Sequence, residues 1–70
     1  MSDRDAALAN AIEKAGGVRP LALPLEISPQ AISQWRRVPA TRVLAVEKVS
    51  GVPRHELRPD LYPPEGEAAA

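Results

Sequence analysis

Apolar residues recur every three or four positions along most of the chain, the spacing of helices with one buried face. The stripe in the first segment consists of Leu8, Ala11, Ile12 and Ala15. Ser2 and the acids after it are typical of a helix N-terminus, and Gly16-Gly17 favours a positive-φ exit. The pattern therefore predicts a first helix from about Asp3 to Ala15.

Two shorter helices and a turn are predicted next. Residues 18–25 form the first of them, although Pro24 is expected to fray or kink its end because an interior proline costs about 3 kcal/mol. Ser28-Pro29 pairs an N-cap serine with a proline at the first helical position. The second helix is therefore expected from Pro29 to about Arg37, with Ile32 and Trp35 facing inward.

The remainder of the chain predicts two further helical segments. Pro39 opens a helix from Ala40 to Ser50, which Gly51 ends, and a short turn of helix follows Val52-Pro53 and stops at Arg58-Pro59. We expect residues 60–62 to be extended and residues 63–70 to form a disordered acidic tail. The predicted fold class is all-α, with four or five short helices in a small bundle and no strand.

Composition excludes several classes of function. The chain has 70 residues, no cysteine and one histidine, so disulfides, thiolate zinc sites and histidine clusters are excluded. His55 and its neighbour Glu56 do not share a helix face, and no phosphate-binding glycine loop occurs. We expect no enzyme, no cofactor and no metal. With neither a signal peptide nor an apolar span, a cytoplasmic protein without membrane contact is expected.

Charge is unevenly distributed although the formal net charge is zero. Residues 15–59 carry seven cations against three acids, whereas both ends of the chain are acidic. A basic middle attracts polyanions locally. Arg36, Arg37 and Arg42 crowd together in that middle, where they are suited either to phosphate contact or to surface ion pairs.

The segment 18–37 has the pattern of a helix-turn-helix, with Ala22 as the small residue where two helices cross. The outward face of its second helix is polar and consists of Gln30, Ser33, Gln34 and Arg37. These side chains are able to read base edges in a major groove, or they form an ordinary solvated face. Trp35 is expected as a core anchor rather than as a base-stacking residue.

The runs AIEKAGGV and ISPQAISQWRRVPATRVLAVEKVSGVPRHELRPDLYP give the chain a specific resemblance over residues 6–63. It resembles the YdaS family of Cro-like DNA-binding proteins, small bacterial and prophage-encoded regulators. The resemblance implies a lambda-repressor-like helix-turn-helix domain over residues 1–62. It adds Ser28 and Pro29 to the base-reading helix and Arg19 as a phosphate contact.

Two residues depart from the family pattern. Glu26 stands where the family has glycine in the turn, and Pro24 replaces a helix-compatible residue. Glycine is preferred there because the backbone adopts positive φ, so the glutamate is expected to cost about 1 kcal/mol. We therefore expect a remodelled turn with an acid near the DNA-facing surface.

The leading hypothesis is a sequence-specific, Cro-type transcriptional repressor associated with the nucleoid. It would bind a symmetric operator as a homodimer, with helix 29–37 in the major groove of double-stranded DNA. Either a dimer contact or completion of the core is predicted for Val52, Leu57, Leu61 and Tyr62. The alternative hypothesis is a protein-interaction module on the same scaffold, acting as the antitoxin-like partner of a toxin.

Overall fold

The helices of the protein follow the turn signals of its sequence closely. A computed structural model describes residues 4–63, and within that range it contains five α-helices, one 3₁₀ turn and no strand. The helices are α1 (Ala6–Ala15), α2 (Val18–Leu25), α3 (Pro29–Ser33), α4 (Val43–Ser50) and α5 (Arg54–Leu57), and the 3₁₀ turn is Ala40–Arg42. The predicted all-α class is confirmed. Ser2 and residues 64–70 of the predicted tail lie outside the described range.

Helix α1 begins later than predicted. Asp5 is its N-cap, with non-helical backbone angles and a carboxylate that accepts a hydrogen bond from the Ala7 N–H at 3.1 Å. An aspartate in this role satisfies one of the free amides of the first turn, so the predicted start at Asp3 is wrong. The predicted end is correct, because Gly16 takes the left-handed conformation at φ 101°.

Helix α2 keeps its regular form up to Leu25 despite Pro24, which the sequence analysis expected to fray or kink it. Pro24 lies within one turn of the helix end and is exposed, so it removes a single backbone bond without disturbing the core. The positive φ expected at position 26 is present, since Glu26 ends the helix with φ 59° and ψ 39°. The remodelled turn expected from Pro24 and Glu26 is not, because α2 reaches its predicted end at Leu25. Glu26 is the only non-glycine residue with positive φ between residues 4 and 63.

The C-terminal third differs in detail from the prediction. The segment predicted to begin a helix at Ala40 starts with the 3₁₀ turn, and α4 follows from Val43. Residues 60–62 are not extended. They form a turn in which the N–H groups of Leu61 and Tyr62 both donate to the Arg58 carbonyl, at 3.0 and 2.8 Å.

Twelve apolar residues form one buried core beneath the helices. They are Leu8, Ala11, Ile12, Leu21, Ala22, Leu25, Ile32, Val38, Val43, Val46, Val52 and Leu57. Helix α2 packs against α1, α3 and α4, and α5 closes the bundle against α1 and α4. None of the described helices has both the length and the apolar character needed to cross a membrane.

One charged side chain also enters the interior. Arg58 is 9% exposed and forms two hydrogen bonds to the Asp60 carboxylate, Nε to Oδ1 at 3.0 Å and Nη2 to Oδ2 at 2.8 Å. Its Nη1 donates to the Val38 carbonyl at 2.9 Å. The hydrogen bonds from Arg58 lower the pKa of Asp60 from 3.8 to about 2, and those to Asp60 raise the pKa of Arg58.

The left-handed turn residue gives a stability prediction. Glu26→Gly removes the steric cost of a Cβ at positive φ, so we expect the free energy of unfolding to rise by about 1 kcal/mol. Urea unfolding followed by circular dichroism measures the change. Glu13→Gly, at an exposed position inside α1, is the matched control and should lower stability by about 1 kcal/mol. A loss of stability in both variants would contradict the strain at position 26.

The Arg58–Asp60 pair gives a prediction for acid. Because the pKa of Asp60 is lower in the folded protein than in the unfolded chain, its stabilisation is complete above about pH 4 and is lost as pH falls through about 2. Asp60→Asn should therefore be less stable at neutral pH and should lose less stability between these two values. Urea unfolding at a series of pH values tests this, with the exposed Glu56→Gln as control. Parallel pH profiles for wild type and Asp60→Asn would contradict it.

Candidate nucleic-acid interface

Helix α3 is held at its N-terminus by the cap that the sequence predicted. Ser28 has extended backbone angles, and its Oγ accepts a hydrogen bond from the Ala31 N–H at 3.2 Å. Pro29 occupies the first helical position, where the backbone N–H would have no intrahelical partner, so its absence loses no hydrogen bond. The Ser28 oxygen is thus engaged in capping, and its hydroxyl hydrogen remains available to donate to a ligand.

The helix is shorter than predicted and ends at Ser33 rather than at Arg37. Gln34 is its C-cap, and the Trp35 N–H donates to the Ile32 carbonyl at 3.0 Å in a tightened last turn. The chain then leaves the helix to bury Val38 completely in the core. Val38 also precedes a proline, a position at which helical angles are disfavoured.

The polar face predicted for this helix is present along its five residues and at its C-cap. Gln30, Ser33 and Gln34 are exposed, whereas Ile32 on the opposite side is fully buried. Amide and hydroxyl side chains on a short exposed helix are chemically able to pair with base edges. Arg37, however, is exposed on the loop that follows and is not part of the helix face.

The predicted phosphate-contacting cations lie around α3 on different elements. Arg19 is exposed at the start of α2, and Arg36 is exposed on the loop after α3. Arg42 is half-buried and stands at the N-terminus of α4. Arg37 lies close enough to Asp60 to help lower the pKa of that carboxyl. The basic middle of the sequence therefore flanks both ends of α3.

The sequence analysis did not identify two arginines that hydrogen-bond to the end of α3 and to the loop after it. The Arg4 Nη2 donates to the Ser33 carbonyl at 3.3 Å, so it satisfies the end of α3 from a distance of 29 residues along the chain. Arg58 reaches the loop after α3 from 20 residues away. Neither contact has a local signature, although an arginine two positions before an aspartate, as in residues 58–60, is compatible with a fork-shaped pair.

Trp35 is half-buried and packs against the edge of the core. Its predicted inward position is therefore confirmed in part, since it contacts the core from the loop rather than from a helix. A shallow groove of about 310 Å³ between α2 and the start of α3 is lined by Arg19, Ala22, Leu23, Ile27 and Pro29. Leu23 is 77% exposed, the most exposed large apolar side chain in the described range.

The residues with two predicted roles separate into two groups. Val52 and Leu57 are buried in the core at 1% and 0% exposure, so neither side chain is available for a dimer contact on the folded monomer. Completion of the core, the second of their two predicted roles, is what the structure shows. Leu61 is 44% exposed and Tyr62 is half-buried beneath the Arg54 guanidinium, 5.7 Å from the ring centre.

The surface around α3 is described by the chemical groups that it exposes. Between residues 4 and 63, no group of three or more His, Cys, Asp or Glu side chains is placed to hold a metal ion. The surface offers amide, hydroxyl and guanidinium groups, which bind by hydrogen bonding and charge. Glu26, exposed in the turn before α3, adds the one acid of that turn.

Comparison with known proteins gives a family for the chain. No curated protein and no solved structure matches it. A family model described as "Bacterial toxin YdaS" matches residues 8–65, which include α1 from Leu8 onward, the other four helices and the polar face of α3. Its description names a toxin, whereas the alternative hypothesis of the sequence analysis is an antitoxin-like partner of a toxin. The chain belongs to the YdaS family.

Proposed function

We propose that this protein is a sequence-specific DNA-binding repressor of Cro type, with α3 as the helix that enters the major groove. The observation that carries the proposal is the pairing of α2 and α3 about a three-residue turn. That turn leaves Gln30, Ser33 and Gln34 exposed while Ile32 alone anchors the helix. The arrangement is that of a helix-turn-helix, whose second helix presents its N-terminal residues to base edges.

The division of roles follows from the placement of the side chains. Gln30 and Ser33 are the base-reading residues because they stand on α3 itself, and Gln34 extends the same face by one position. Arg19, Arg36 and Arg37 contact phosphates on both sides of the helix. The shortened helix thus moves Arg37 from base reading to phosphate binding.

A symmetric operator and a homodimer remain part of the proposal. A surface of five helical residues with a few flanking cations offers one monomer little contact area, and two monomers double it at half-sites one helical turn apart. Leu61, at the C-terminal end of the described chain, and Leu44, 50% exposed on α4, are the apolar side chains available for such a contact.

A second candidate function is binding of a protein partner, as in a toxin–antitoxin pair. It is favoured by the exposed Leu23 in its shallow groove and by the toxin named in the family description. Such a module needs no amide side chains on α3 and no cations beside it. The two functions are therefore separated by substitutions on α3.

Substitution of the α3 face tests the repressor directly. An operator is first selected from a pool of random duplexes, and binding to it and to a scrambled duplex is then measured by fluorescence anisotropy. Gln30→Ala and Ser33→Ala should each reduce the ratio of the two affinities about tenfold, because a lost base contact costs about 1–3 kcal/mol of discrimination. Asn10→Ala, at an exposed position on α1, should leave the ratio unchanged.

Arg19→Ala separates phosphate contact from base reading. It should weaken binding to both duplexes by the same factor. The negative slope of log affinity against log salt should become shallower by about 0.9, because one phosphate contact is lost. Failure of the selection to enrich any motif with the folded protein would refute sequence-specific binding and favour the protein-partner function. An unchanged affinity ratio in both α3 variants would do the same.

A further inference from the structure

The loop after α3, residues 34–39, is fixed by hydrogen bonds from parts of the chain that are remote in sequence. The Ser33 carbonyl accepts from the Arg4 side chain at 3.3 Å, and the Arg36 carbonyl accepts from the Asp5 N–H at 2.6 Å. The Val38 carbonyl accepts from Arg58 Nη1 at 2.9 Å. Three carbonyls in six residues are thus held from both sides, which is unusual for a surface loop.

The Arg58 side chain is also held by a second partner, Asp60, outside the loop. Its other two nitrogens, Nε and Nη2, donate to the Asp60 carboxylate at 3.0 and 2.8 Å, and this forked pairing sets the direction of the guanidinium plane. Its side chain is 11% exposed, so the bond to Val38 lies away from competing water. Arg58, Asp60 and the Val38 carbonyl together are called the Arg58 clamp below.

The loop that the clamp holds is also anchored to the core by the buried Val38 and the half-buried Trp35, and it carries two exposed cations. Arg36 and Arg37 are adjacent on it and both side chains are exposed. Flexible arginines lose conformational freedom when they bind, and this loss weakens the affinity. A backbone that is already ordered at Arg36 and Val38 reduces the conformational entropy lost on binding, because only the side chains then become ordered.

We infer that Arg58 and Asp60 are positioning residues for DNA binding, which orient the loop so that Arg36 and Arg37 stand ready for phosphates beside α3. This inference rests on the function proposed above and adds two residues to it. Neither residue contacts DNA: Arg58 is buried, and Asp60 repels phosphate. Their contribution is to the affinity for any duplex, while base discrimination stays with Gln30 and Ser33.

The charge-conserving variant Arg58→Lys is the main test. Lysine keeps the positive charge but has one nitrogen in place of the planar fork, so it cannot reproduce the two-point pairing with Asp60 together with the bond to Val38. We expect binding to the operator and to the scrambled duplex to weaken about tenfold alike, as for residues coupled in one network. The substitution Arg37→Ala should then cost less affinity in the Arg58→Lys background than in the wild type.

Arg54→Lys is the matched control. It makes the same guanidinium-to-ammonium exchange in a second ion pair, in which Arg54 Nη2 lies 3.1 Å from the Glu47 carboxylate, without touching the loop after α3. Its DNA affinity should equal that of the wild type. A folded Arg58→Lys protein with wild-type affinity, or an equal cost of Arg37→Ala in both backgrounds, would overturn the inference.

Asp60→Asn is a second variant, useful if Arg58→Lys fails to fold. Removing an acid near the binding surface by itself favours a polyanion. A weaker complex in Asp60→Asn therefore supports the clamp, because loss of position must outweigh the gain in charge. A tighter complex contradicts the clamp and identifies Asp60 as an electrostatic competitor for Arg37. Thermal unfolding of each variant shows that it is folded at the temperature of the binding assay.

Trp35, the sole tryptophan, reports on the loop without any DNA. It is half-buried at the start of the loop, so acrylamide quenching of its fluorescence should increase in Arg58→Lys and not in Arg54→Lys. If the wild type binds DNA but quenching in Arg58→Lys equals that of the wild type, the positioning role of the clamp is refuted and the proposed function is not. If the wild type binds no duplex, the proposed function fails and the positioning role fails with it, whatever the quenching shows.

Discussion

The burial of Ile32 is the contact on which the candidate interface depends. Helix α3 has five residues and one fully buried side chain, far below the length at which an isolated helix is stable in water. Its existence is therefore a tertiary effect. The helix needs a fixed entry, which Ser28 and Pro29 supply, and a fixed exit, which Arg4 and the buried Val38 supply. A rigid frame around a short helix is what allows three exposed polar side chains to hold a defined direction.

Signals that act within a few residues were readable from the sequence. The exit at Gly16, the cap at Ser28 and the end of α4 at Gly51 all depend on local backbone geometry, which residue type restricts directly. The strained turn at Glu26 was predicted from the family resemblance instead, because the family has glycine at that position and glycine there indicates positive φ. The family resemblance and this local geometry agree on most of the fold.

Features set by distant parts of the chain were not readable. The polar pattern of residues 30–37 continues past Ser33 as if the helix did, yet Val38 and the proline after it draw the chain into the core. Because α3 ends at Ser33, Arg37 lies on the following loop and not on the base-reading face that the sequence predicted for it. Arg58 was likewise read only as the last residue of a helix, although its partners are an acid two residues on and a carbonyl twenty residues back.

The turn and the loop on either side of α3 are fixed in opposite ways. Before the helix, Glu26 holds a left-handed conformation at an energetic cost and places an acid near the interface. After it, three carbonyls receive hydrogen bonds from remote donors, and the cations stand on the fixed backbone. Because α3 is too short to resist movement at either end, a change in the turn or in the loop reorients its exposed face. Under the proposed function, DNA recognition therefore depends as much on residues that never meet a ligand as on Gln30 and Ser33.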